Sequence, residues 1–168
     1  MVRICLVILC TLLVSSPLYA RTDAWMKSES RFRSSFSYGI TTQGPGSATG
    51  ISYEFNRHIL SARIASTDPL WGDDVWDIAV MYGRAAMIGP FYANTGVGAS
   101  IVGGNQYPRL IGGDPEGKMD RILGFPLEGN VSWLVTDYTA LGLYSFINVN
   151  TNQPFGGLAL SLQIGRLR

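Results

Sequence analysis

The sequence predicts an all-β fold, an eight-stranded antiparallel up-and-down transmembrane β-barrel behind an N-terminal signal peptide. Three observations carry this. Apolar and small polar residues alternate over segment after segment of about ten residues, the period of a two-faced strand. No stretch after residue 20 approaches the ~20 apolar residues that a spanning helix needs. The face opposite the apolar one carries Gly, Ser and Asn rather than the Lys and Glu that normally coat a solvated sheet.

Phe91–Val102, FYANTGVGASIV, shows the pattern best. Phe91, Ala93, Thr95, Val97, Ala99 and Ile101 form a mostly apolar face, and Tyr92, Asn94, Gly96, Gly98 and Ser100 a small or polar one. Small polar groups suit a crowded, wet interior, so the apolar face is expected outward and the polar face inward.

The 168 residues make one domain by length, and no linker interrupts them. Residues 1–20 read as a secretory signal peptide: Arg3 gives a basic start, Ile4 to Val14 an apolar core, and Leu18 and Ala20 a small-residue cleavage site before Arg21. The apolar run has the length of a signal core rather than of an anchor. Both cysteines, Cys5 and Cys10, lie in this segment, and Leu9 before Cys10 fits lipoprotein processing poorly, so a disulfide-free exported protein is expected. Loss of Arg3 from 13 basic residues leaves twelve against 12 acids. A net charge near zero argues against nucleic acid as a partner. Of the lysines, only Lys27 and Lys118 then remain, both outside the expected strands.

Residues 21–31 form a polar periplasmic lead-in, and the barrel domain is expected over 32–168. The first strand, Phe32–Thr41, sets Phe36, Tyr38 and Ile40 against Arg33, Ser35, Ser37 and Gly39, and the loop TQGPGS turns it back. Ala48–Asn56 sets Ile51, Tyr53 and Phe55 against Ser52 and Glu54. Past a tight turn at Asn56 to His58, Ile59–Thr67 sets Leu60, Ala62 and Ile64 against Ser61, Arg63 and Ala65. After STDPLWGDD, Val75–Arg84 sets Trp76, Ile78, Val80 and Tyr82 against Asp77. A turn at Gly89 and Pro90 leads to the fifth strand, Phe91–Val102. Gly103 to Arg121 is the longest irregular segment, rich in Gly, Pro, Asn and Asp. Ile122–Leu134 then sets Leu123, Phe125, Leu127, Val131 and Trp133 against Gly124, Glu128, Asn130 and Ser132. In the seventh strand, Tyr138–Asn148, Leu141 and Leu143 compete with Tyr144 and Phe146 for the outer face, leaving the register open. The eighth, Phe155–Gly165, sets Leu158, Leu160, Leu162 and Ile164 against Ala159, Ser161 and Gln163.

The even strand count, the strand lengths, and short second, fourth and sixth connections against longer first, third and fifth ones match the outer-membrane arrangement. Over roughly residues 32 to 165 the chain resembles the small eight-stranded outer-membrane β-barrel proteins. The resemblance implies residence in the cell outer membrane, both termini in the periplasm, and outer-membrane lipid and the barrel assembly machinery as partners. Such barrels commonly end in an aromatic residue that the machinery recognises, whereas this chain ends Gly165, Arg166, Leu167, Arg168. Pro126, mid-strand where no free edge exists, predicts a bulge or local break.

With these faces, Arg33, Glu54, Arg63, Asp77 and Glu128 point into the lumen as a charge network. An interior this narrow is normally packed, which favours a structural plug over a gated ion path. The enzyme alternative is a lipid-modifying barrel acting on lipid A acyl chains, for which a histidine base is required. His58 is the single histidine, is followed by Ile59 and Leu60 rather than by the histidine, any residue, serine spacing, and lies on the expected periplasmic turn. Asp68, Asp73 and Asp74, and separately Asp114, Glu116 and Asp120, could gather a divalent cation but lack the calcium-loop pattern, so solvated loop acids are favoured. Trp71 and Tyr107 stand near them, and a surface ligand could engage the 103–121 loop. No cofactor or metal motif and no catalytic signature appears. The expected function is a non-enzymatic outer-membrane barrel with a structural or surface-interaction role. Its soluble rival, a lipocalin-like ligand-binding barrel, would leave a Gly, Ser and Asn outer surface poorly suited to water.

Overall fold

A computed structural model describes residues 30–67, 75–105 and 118–167. It contains eight strands: β1 (Arg31–Thr41), β2 (Gly44–Phe55), β3 (His58–Thr67), β4 (Val75–Ile88), β5 (Phe91–Asn105), β6 (Lys118–Leu134), β7 (Thr139–Asn150) and β8 (Phe155–Gly165). Each pairs antiparallel with the next and β8 pairs with β1, closing the barrel. The signal peptide, most of the lead-in, and Asp68, Trp71, Asp73, Asp74, Tyr107, Asp114 and Glu116 lie outside the described residues.

The alternation in sequence becomes the alternation of burial. Ile40, Leu160 and Leu123 are 76 %, 73 % and 71 % exposed on the outer face, while Ser37, Ser100 and Ser132 are buried inside. An eight-stranded barrel whose outer wall is Leu, Ile, Val and Phe hides that apolar surface in hydrocarbon. The register sets the stagger. Passing from Arg31 through Glu54, Ile59, Gly83, Gly96, Glu128, Phe146 and Gly157 leads back to β1 at Thr41, ten residues beyond the start. Strands so staggered tilt by about 40° to the axis and leave an interior that side chains can fill.

Several boundaries differ from expectation. β2 begins at Gly44, so the first connection is a two-residue turn, Thr42 and Gln43, rather than an open loop. Gly44 takes φ 134°, a conformation open to glycine, and Thr41 Oγ1 donates to the Gly44 carbonyl at 2.8 Å. β4 continues four residues past Arg84, β5 reaches Asn105, and β6 starts at Lys118, which is therefore a strand residue. The long connections are 68–74 and 106–117, both at the end opposite the chain termini.

The β2–β3 turn is Asn56 and Arg57, at φ 49° and 68°. Two successive left-handed residues give the hairpin twist that matches the strands. Pro126 causes a local break without a bulge. Val97 pairs with Leu127 and Ser100 with Gly124 in one unbroken register, and the intervening pairs are missing beside the residue that has no N–H. The register shift of this strand pair falls instead between Val102 and Gly104. β7 resolves with Leu141, Leu143, Ile147 and Val149 outward and Tyr144, Phe146 and Asn148 buried inside.

Candidate functional site

The lumen is built in layers. At the end that holds both chain termini, Arg31 lies in β1, is buried, and donates from Nη1 to the Leu167 carbonyl at 2.8 Å. Leu167 is itself 1 % exposed, and its N–H donates to the Asp137 carbonyl at 2.9 Å. The C-terminal segment thus folds over the barrel mouth. Ile59, Ala85 and Tyr92, with Met87 and Leu134 against them, form an apolar cluster at this end.

Next comes the first charged layer. Arg33 of β1 and Glu54 of β2 lie on neighbouring strands one diagonal step apart, since the ladder matches Arg33 with Ser52 and Arg31 with Glu54. Arg33 Nη2 lies 2.9 Å from Glu54 Oε2. Tyr92, reaching from β5, donates its hydroxyl to Glu54 Oε2 at 3.0 Å, and its ring stacks 4.2 Å from the Arg33 guanidinium carbon. A tyrosine suits this place because its ring holds the cation while its hydroxyl satisfies the anion. Gln163 Nε2 donates to Asn130 Oδ1 at 2.9 Å and to Ser132 Oγ at 3.2 Å, and Ser132 donates to Asn130.

The second charged layer centres on Arg63 of β3. Its guanidinium pairs with Asp77 of β4, donates from Nη1 to the Tyr144 hydroxyl at 2.9 Å, and lies 3.7 Å from Glu128 Oε2. Tyr144 passes the interaction on, donating to Glu128 Oε2 at 2.8 Å. Asn148 Nδ2 donates to Asp77 Oδ2 at 2.6 Å and contacts Ser100 Oγ at 2.8 Å. The Phe146 ring covers Arg63 at 4.9 Å. One guanidinium here faces two carboxylates, held in place by neutral donors.

A cavity touches both layers, lined among others by Arg33, Arg63, Glu128 and Gln163 together with Ala48, Ile59 and Met81. Beyond the second layer, Val75, Val102, Phe155 and Phe146 pack with Ala48, Ala65 and Ala159 toward the loop end. The five charged residues singled out from the sequence therefore all lie inside, but in two clusters rather than one. Arg33 and Arg63 are not the only inward arginines, because Arg31 joins them. Tyr92, Tyr144, Asn148 and Gln163 were missed as members. Tyr92 was legible as an inward-phase residue in the clearest strand, whereas Tyr144 and Asn148 belong to the strand whose register sequence left open.

His58 is the first residue of β3 rather than a turn residue, and its ring lies on the outer face. Nδ1 is hydrogen-bonded to the Tyr82 hydroxyl, Nε2 accepts from Arg84 Nη1 at 3.3 Å, and Phe55 stacks on the ring at 5.5 Å. Of the loop acids, Asp120 is described, and it is an exposed residue of β6.

No protein-family profile and no curated protein matches this chain. Solved structures do match in fold. Neisserial surface protein A is similar with a TM-score of 0.59 at 12 % identity, covering 80 % of this chain and 96 % of that one. The N-terminal β-barrel domain of Pseudomonas aeruginosa OprF gives 0.60 at 9 % identity, covering 82 % and 98 %. Ail, the attachment invasion locus protein of Yersinia pestis, in complex with the heparin analogue sucrose octasulfate, gives 0.55 at 11 % identity, covering 83 % and 99 %. The fold is that of the small eight-stranded outer-membrane β-barrels.

Proposed function

We propose that this chain is exported through a cleaved signal peptide to the cell outer membrane, where it serves a structural or surface-interaction role without catalysis. The observations that support the reading are an apolar outer wall and a lumen that carries two ion-paired layers between apolar ends. A wall of that composition belongs in lipid, and ion-paired layers across a lumen this narrow act as a plug that fixes the barrel. Buried charges held by partners on several strands tie those strands together across the interior.

The barrel then presents residues 68–74 and 106–117 at the cell surface, with both termini in the periplasm. The second of these, inside the 103–121 region, is the place for a surface ligand. The bound heparin analogue on Ail supports a fold of this size carrying such a ligand. The barrel assembly machinery is the partner that inserts it. Fractionation and conductance test the reading together. The mature protein should stay with outer membranes after osmotic shock, dissolve only with detergent, and give no discrete conductance in planar bilayers. Release by osmotic shock overturns the membrane assignment, and a discrete conductance overturns the plug.

A further inference from the structure

The two guanidinium groups of the charged layers are only partly used by the protein around them. Arg33, whose side chain is 3 % exposed, turns Nη2 toward Glu54, while its Nε and Nη1 have no acceptor among the described residues. Arg63, buried to the same degree, spends Nη1 on Tyr144 and Nη2 on Asp77, and its Nε has no acceptor. Ser161 Oγ, buried on β8, is also without a partner. A guanidinium nitrogen can only donate, so these positions ask for acceptors. Leaving a buried donor unaccepted costs free energy, and native structures almost always supply an acceptor from protein, water or an ion.

Arg33, Arg63 and Ser161 all line the same cavity, whose volume is about 50 Å³. A water needs roughly 10–15 Å³ measured this way, so the space suits one ion of halide size with little besides. The composition of the lining selects the sign of that ion. Two guanidinium groups, Arg33 and Arg63, stand on it against one carboxylate, Glu128. Glu54 and Asp77, which pair with the two arginines, are not among the lining residues. The buried acceptors without partners, Asp77 Oδ1 and Gln153 Oε1, belong to residues that do not line it either. The groups lacking partners on the cavity are therefore N–H and O–H donors. Water brings two donors of its own for every pair of bonds it accepts, whereas an anion only accepts, and N–H bonds from a guanidinium to an anion are the stronger kind.

Building on the reading of the lumen as a plug, we infer that this cavity is a binding site for one small monovalent inorganic anion of halide size, accepting from Arg33 Nε and Nη1, Arg63 Nε and Ser161 Oγ. The anion joins the two charged layers, because it is shared by a guanidinium of each. Arg33 on β1, Arg63 on β3 and Ser161 on β8 then meet at one ligand, and neighbouring strands are tied through the interior as well as through their ladder.

The test is urea unfolding of the mature protein in lipid vesicles, with sodium gluconate replaced stepwise by sodium chloride at fixed ionic strength. Gluconate is too large for the cavity, and a ligand that binds only the folded state raises stability with each tenfold increase above its dissociation constant. The urea midpoint of the parent should rise with chloride and with bromide, and exchanging sodium for potassium should change nothing. Arg33→Gln combined with Glu54→Gln, which removes the ion pair without stranding a charge, should abolish the chloride dependence. Ser161→Ala should shift the half-maximal chloride concentration upward by about tenfold, the loss expected for one hydrogen bond to a charged group. Thr95→Val, on the outer wall, should leave the dependence as in the parent. A parent midpoint indifferent to chloride overturns the site and leaves the cavity to water, and a dependence on the cation overturns it as well. The same chloride dependence in the parent and the double variant, or in the parent and Ser161→Ala, also overturns it. Heat-modifiable gel mobility reports folding of each variant, and Ser161→Ala keeps the test open should the double variant fail to fold. Planar-bilayer recording separates the two readings: no chloride dependence in a barrel that does not conduct refutes the anion site alone, whereas a discrete conductance refutes the plug beneath it.

Discussion

Replacing Arg63 with Met removes the one cation that the described residues place in the second layer and leaves Asp77 and Glu128, whose side chains are 0 % and 13 % exposed, without that counter-charge. Breaking a buried pair by deleting one partner costs about 3–5 kcal/mol, because the remaining charge stays desolvated. Tyr144 also loses the donor to its hydroxyl, though it keeps Glu128 as acceptor. Asp77→Asn should cost less, about 1–3 kcal/mol, since Arg63 retains Glu128 and Tyr144 and the new amide oxygen still accepts from Asn148. The two changes together should cost about 2 kcal/mol less than their sum, because the second removes a charge that the first left stranded. Adding Glu128→Gln should recover more, as neutral replacement of a buried ion network is often nearly neutral in stability. Urea unfolding in lipid vesicles, followed by tryptophan fluorescence, measures each step. Additive costs for Arg63→Met and Asp77→Asn, or an Arg63→Met barrel within about 1 kcal/mol of the parent, would refute the assignment of Arg63 as the centre of the layer.

Four further outcomes are expected. Val97, 53 % exposed on the outer face, should destabilise the barrel by about 2–4 kcal/mol in bilayers when changed to Arg if it lies near the midplane, and less in detergent. Ser100→Ala, inside, should cost only the bond with Asn148, about 1 kcal/mol; equal effects at both positions would contradict the faces. Gly124→Ala should cost about 1–3 kcal/mol by overpacking, because its Cβ would stand 2.3 Å from Asn148 Oδ1 and 2.7 Å from Ser100 Oγ. The same urea titration reads it, and a neutral result would mean that Asn148 is free to move. An epitope tag at Gly113 should be reached by antibody on intact cells, and labelling only after permeabilisation would reverse the topology.

The single chain by itself determined the strands and which way they face. Side chains alternate strictly along a strand, so wherever bulky and small residues also alternate, as in Phe91–Val102, the sequence already states inside and outside. That is why Arg33, Glu54, Arg63, Asp77 and Glu128 could be placed in the lumen before any coordinates. The same rule fails in β7, where Tyr144 and Phe146 are as apolar by composition as Leu141 and Leu143. Only the lumen decides there, since Arg63 uses the Tyr144 hydroxyl and the Phe146 ring as partners.

Which inward charges meet was settled by tertiary structure alone. A stagger of ten residues around the barrel sets their relative heights, and stagger is a property of the closed ladder rather than of any strand. It brings Tyr92 to Glu54 and Arg33 at one level, and Glu128 and Tyr144 to Arg63 at another, across sequence separations that no local pattern encodes. The alternation of residues is a short-range steric fact and is written in the chain; the pairing of charges is a long-range geometric one and exists only once the barrel has closed.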